Sequence, residues 1–89
     1  MTTQTTAVIT VKVLCFAQLR DYLGASDFTV SLPSDATGRE LLDALRQRSQ
    51  RIGPLLDVSR LAVNQEYVGA DVRLQDGDDV VVIPPVSGG

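Results

Sequence analysis

Asp76-Gly77-Asp78-Asp79-Val80-Val81-Val82-Ile83-Pro84-Pro85 is the stretch on which the fold turns. Asp76-Gly77-Asp78 is a turn signal. Asp79 to Ile83 is rich in valine and predicts a strand in the centre of a sheet. Pro84 and Pro85 stop that strand, because neither has an N–H for a ladder. If Val80 and Val82 point into the core, Val81 and Ile83 point the other way by the period of two.

Upstream, Arg60 to Val63 predicts a short strand, Asn64-Gln65-Glu66 a turn, and Tyr67-Val68 a return from it. Thr37 followed by Glu40 is a capping box that opens the main helix. Leu41, Leu42 and Leu45, continued by Ser49 or Ile52, form its apolar stripe, with Arg39, Asp43, Arg46 and Gln47 mostly away from it. Gly53-Pro54 is expected to break that helix. Asp27 to Leu32 reads as a strand with Phe28, Val30 and Leu32 inward, ended by Pro33. Ala17 to Leu23 reads as a short helix, and Gly24 suits its left-handed cap.

Ala7 to Phe16 completes the pattern as the opening strand. Ile9, Val11, Val13 and Cys15 share the core face. The other face carries Lys12, the single lysine, and also Leu14 and Phe16. One helix packed on one face of a mixed sheet is the simplest way to bury these stripes, which makes the class α+β. The expected organisation is a disordered leader at 1–6, one domain at 7–84 and an extended tail at 85–89.

Composition narrows the function. Eighty-nine residues make one domain, and 44% hydrophobic residues are too many for a disordered chain. The net charge of −3 and the scattered arginines argue against nucleic acid. There is no histidine, so the usual general base and zinc ligand are missing. A lone Cys15 forms no intramolecular disulfide and no paired metal site, which suits a reducing cytoplasm. It reads as packing rather than sulfur chemistry. Asp76, Asp78 and Asp79 lack the ligand spacing of a calcium loop and read as a solvated turn. No metal is expected. Met1 to Thr6 has neither the basic stretch nor the apolar run of a signal peptide, and no run spans a bilayer. The expectation is a soluble cytoplasmic protein without membrane contact.

The tail Pro84-Pro85-Val86-Ser87-Gly88-Gly89 is the one candidate for chemistry. The prolines favour an extended chain, and two residues without Cβ atoms fit a channel too narrow for others. The reactive group is the α-carboxylate of Gly89, which must be activated before any nucleophile attacks it. Acyl-adenylation by a separate ATP-dependent enzyme is the usual route. The adenylate then accepts sulfur, giving a thiocarboxylate, or an amine, giving an amide. A glycine-ended tail is otherwise an idle flexible end. Its place just after a strand and a Pro-Pro spacer favours function.

Three stretches resemble one family. They are Val13-Leu14-Cys15-Phe16-Ala17-Gln18-Leu19-Arg20, Ala62-Val63-Asn64-Gln65-Glu66-Tyr67-Val68, and Leu74 through to Gly89. Together they are similar to the small, sulfur-carrier subunit of molybdopterin synthase, the MoaD family. The resemblance implies a β-grasp, ubiquitin-like fold and supplies the strand order. It implies that an E1-like adenylating enzyme consumes ATP at Gly89 and that a sulfur relay makes the thiocarboxylate. The carrier binds no cofactor itself. The tail would then thread, with Gly88, into the large subunit of a heterotetramer, where sulfur passes to cyclic pyranopterin monophosphate. Pro84, Pro85, Val86 and Ser87 match the rest of that tail. Phe16, Ile83 and Tyr67 are expected to form an apolar docking patch beside it. Alternatives are a sulfur carrier for thiazole synthesis, a ubiquitin-like protein modifier, and a binding module with an idle tail. On the first two and on the family reading, the isolated chain is no enzyme but a donor or modifier.

Overall fold

The computed structural model of the protein describes residues 8–85. The chain opens with β1 (Val8–Cys15), α1 (Ala17–Leu23) and β2 (Asp27–Pro33). Then come α2 (Gly38–Arg48), a 3-10 turn (Gln50–Ile52) and α3 (Gly53–Asp57). The strands β3 (Arg60–Val63), β4 (Glu66–Val68) and β5 (Asp79–Ile83) complete it.

Alternation in β1 decides which face is buried. Ile9, Val11, Val13 and Cys15 are buried, while Val8, Thr10, Lys12 and Leu14 are exposed. Gly24 takes φ 78°, and its N–H donates to the Arg20 carbonyl at 2.8 Å, closing α1. The chain then turns back as β2, antiparallel to β1 from Val8↔Pro33 to Leu14↔Asp27. Pro33 belongs to the strand as its last residue, where a missing N–H costs little.

Glu40 organises the start of α2. The Thr37 N–H and hydroxyl donate to its Oε1 at 3.1 and 3.0 Å. Leu41, Leu45 and, past the helix, Ile52 are fully buried against the inner face of the sheet. The expected break at Gly53-Pro54 is displaced. Ser49, in extended backbone, ends α2 four residues earlier, and Pro54 stands in the first turn of α3. The reason is that a proline's fixed φ and missing N–H suit a helix start as well as a helix stop.

Asn64 and Gln65 have φ of 50° and 75° and make the two-residue turn of the β3–β4 hairpin. The sheet order is β2-β1-β5-β3-β4. β5 lies between β1, which it joins in parallel, and β3, which it joins antiparallel. That order is the β-grasp expected from the family resemblance, with the helices on one face and the other face open.

Candidate functional site

The open face is built by the odd-and-even rule applied across five strands. Leu14 pairs with Asp27 on one side and Val81 on the other; Val81 pairs with Ala62, and Ala62 with Tyr67. The row Asp27–Leu14–Val81–Ala62–Tyr67 therefore crosses the whole sheet. Its middle is apolar, and Ala62 is buried although it stands outside the main core. Leu14 is 36% and Tyr67 67% exposed.

One step towards the carboxyl end of β5, Ile83 pairs with Arg60. Phe16 holds the corresponding position beyond β1, since Cys15 pairs with Val82. It caps α1 in extended backbone, so it continues the parity of the strand, and it is 48% exposed. The sheet thus brings the three patch residues expected from the sequence, Phe16, Tyr67 and Ile83, to one face. Pro84, half-buried, and Pro85, exposed, leave from the same end. Val86, Ser87, Gly88 and Gly89 lie outside the described residues.

Farther from the tail, a groove of about 340 Å³ is lined by Lys12, Leu14, Asp27, Gln65, Asp79 and Val81. Lys12 and Asp79 are paired in register on its floor. Among the described residues, the face accordingly has an apolar middle, a mixed but acid-rich far end and one cation, Arg60, at the end where β5 runs out. Arg60 escaped the sequence reading. Its signal was parity with Ala62 on β3, and that parity acquires meaning only once β3 is placed against β5.

The acidic turn has a structural task. Asp76 Oδ1 accepts the Thr10 N–H at 2.8 Å. Asp78 accepts the Gln75 N–H at 2.8 Å and the Asn64 side-chain amide at 3.0 Å. Asn64 Oδ1 in turn accepts the Asp79 N–H at 3.0 Å. Among the described residues no three His, Cys, Asp or Glu side chains gather to hold a metal. Cys15 is buried, and desolvation pushes its thiol up to about 11. At neutral pH it is a protonated packing group and not a nucleophile. No helix among the described residues is long and apolar enough to cross a membrane. What the described residues offer is an exposed, partly apolar sheet face beside the strand that leads to Pro84 and Pro85.

Residues 13–89 match the ThiS family. The chain is 38% identical over 81 residues to the molybdopterin synthase sulfur carrier subunit of Dictyostelium discoideum, covering 88% of this chain and 94% of that one. Among solved structures, it is similar to a putative molybdopterin converting factor subunit 1 from Pyrococcus furiosus (34% identity, TM-score 0.80, 88% and 99% covered). It is also similar to a chain in the complex of subunits 1 and 2 of the molybdopterin-converting factor of Helicobacter pylori (26%, TM-score 0.63, 91% and 100%). SAMP1 of Haloferax volcanii is another neighbour (26%, TM-score 0.79, 90% and 99%).

Proposed function

The chain belongs to the ThiS family and, within it, to the molybdopterin synthase sulfur carriers; from that premise we propose that it carries sulfur on Gly89 to a molybdopterin precursor. The observation that carries this reading is the similarity to the Dictyostelium subunit over 94% of that protein's length. Two further facts support it. The family match runs through to Gly89, and the exposed Phe16 and Tyr67 share their sheet face with the strand that leads into the tail.

The chemistry follows from the acyl group. A carboxylate repels nucleophiles and has no leaving group. An E1-like enzyme joins the Gly89 carboxylate to the AMP part of ATP, releasing pyrophosphate. A persulfide donor then attacks the acyl carbon with its outer sulfur, AMP departs, and a thiol cleaves the resulting acyl disulfide, leaving the thiocarboxylate and an ordinary disulfide. Its sulfur is nucleophilic and tethered, so the partner meets it at high effective concentration.

The open face docks on the large subunit, and the tail enters that subunit's active site. In each transfer the sulfur bonds to a carbon of cyclic pyranopterin monophosphate and water cleaves the acyl–sulfur bond, which returns Gly89 to the carboxylate; two rounds supply the two sulfurs of the dithiolene. Two carriers and two large subunits form the heterotetramer. The Helicobacter complex of subunits 1 and 2 supports a large-subunit partner. In this scheme the chain holds no cofactor, is consumed and reloaded, and works in the cytoplasm with the activating enzyme.

Intact mass after incubation with an E1-like enzyme, ATP and a sulfur donor tests the proposal. Replacement of one oxygen by sulfur at Gly89, absent without ATP, is the expected result. An unchanged mass, with the enzyme proven active on another carrier, overturns it. The likeness to SAMP1, a small archaeal modifier protein, favours a second reading in which the activated Gly89 is passed to lysines. Lysine-linked conjugates in the same reaction mark that outcome.

A further inference from the structure

Arg60 opens β3 opposite Ile83, the last residue of β5. Its guanidinium carbon stands 5.0 Å from the centroid of the Tyr67 ring. Both residues are exposed. Among the described residues the guanidinium makes no ion pair, whereas Arg20, Arg39 and Arg46 each have a carboxylate. Stacking on a ring uses one face of the planar group and leaves its donor edge uncommitted. The carboxylates of this sheet face, Asp27 and Asp79, stand by the groove at the far end.

We infer that Arg60 is a specificity-determining cation of the docking face, and that it takes a carboxylate of the large subunit where the tail leaves the sheet. The inference rests on the docking reading proposed above. Tyr67 holds the guanidinium on the face before the partner arrives, which lowers the ordering cost of the pair. A planar fork with free donors suits a carboxylate in two-point contact. Arg60 at one end, and two carboxylates against the one cation Lys12 at the other, give the face a polarity. A partner apolar in the middle and acidic at the tail end docks in one direction, with the tail aimed at its active site. A rim pair of this kind acts on association rate and register more than on contact area.

The test is binding of the full chain to the large subunit from the same organism, measured at about 50 and about 300 mM salt. Arg60→Glu is expected to weaken binding roughly tenfold or more at low salt, since it sets like charges together. Arg60→Lys, which keeps charge but loses the stacked fork, is expected to fall between that variant and the parent. The association rate of Arg60→Ala is expected to depend less on salt. Phe16→Asp is the control for the face; it is expected to fold, because aspartate is a favoured helix N-cap. Normal binding by Arg60→Glu with loss of binding by Phe16→Asp overturns the role of Arg60 and leaves the docking face standing. Normal binding by both overturns the docking reading, and the inference with it. Circular dichroism of each variant confirms that loss of binding is not loss of fold.

Discussion

Thr10 and Asp76 are 66 positions apart in the chain and joined by a 2.8 Å hydrogen bond from the Thr10 N–H to Asp76 Oδ1. The next residue repeats the contact in the opposite sense, with the Gly77 N–H donating to the Thr10 carbonyl at 2.9 Å. The acidic turn before β5 is thereby strapped to β1. Asp76→Ala is expected to cost about 1–2 kcal/mol, because the Thr10 N–H loses its acceptor and must find water. Urea unfolding measures it. A midpoint unchanged from the parent shows that the strap contributes nothing.

Gly38 and Gly77 resist substitution for different reasons, and the difference is measurable. A Cβ on Gly38 meets Leu61 Cδ1 at 2.8 Å and the Ala70 carbonyl oxygen at 3.1 Å. The approach is fixed because the Gly38 and Arg39 N–H groups donate to Val72 and Ala70 carbonyls, both at 2.9 Å. A Cβ on Gly77 meets nothing within 4 Å, but φ there is 86°. Gly38→Ala is expected to destabilise by about 1–3 kcal/mol through crowding, and Gly77→Ala by about 1 kcal/mol through the left-handed backbone. A Leu61→Ala background is expected to relieve the first and leave the second untouched, a difference that a double-mutant cycle detects.

The Cys15 thiol gives stability a defined alkaline limb. Its folded value is about 11 against an ordinary 9.0, because burial opposes the thiolate. Below pH 9 both states hold the proton and the residue adds no pH dependence. Between 9 and about 11 the unfolded chain loses its proton while the folded chain keeps it, so stability falls as pH rises, by at most about 1.4 kcal/mol per pH unit. Cys15→Val is expected to flatten that limb relative to the parent, whatever its effect at pH 7. Parallel curves for the two proteins over that window contradict the assignment.

Gly88→Val separates folding from function. The substitution falls after β5 and Pro84-Pro85 in the sequence, so thermal unfolding is expected to match the parent. Sulfur transfer from the loaded variant is expected to fall by about a hundredfold or more, because a branched side chain shifts the thiocarboxylate out of line in a narrow channel. Single-turnover transfer to the pterin acceptor is the measurement. A parent-like rate rules out the narrow channel.

Much of this was legible in the sequence. Alternation in Ala7 to Phe16 named the buried side of β1 and left Phe16 outside, where it stands. Thr37 with Glu40 marked the start of α2 and Gly24 the end of α1; the turn expected at Asn64-Gln65-Glu66 is there, but Glu66 already pairs with Val63 as the first residue of β4. Gly53-Pro54 misled, because local chemistry says where a helix is interrupted without saying on which side of the interruption the next turn forms. Of the tail, Pro84 and Pro85 lie at the expected end of the sheet. For Gly88 and Gly89 the argument rests on residue chemistry and the family match to residue 89.

The sequence by itself determined which faces β1 and β2 bury, since a period of two is a property of the chain alone. Only the tertiary structure decided which strands are neighbours. The period says nothing of which ladder a strand joins, and that choice depends on burying all the apolar stripes at once beneath α2. Seating β5 between β1 and β3 turns Leu14, Val81, Ala62 and Tyr67 into one row and puts Arg60 beside Ile83 at the root of the tail.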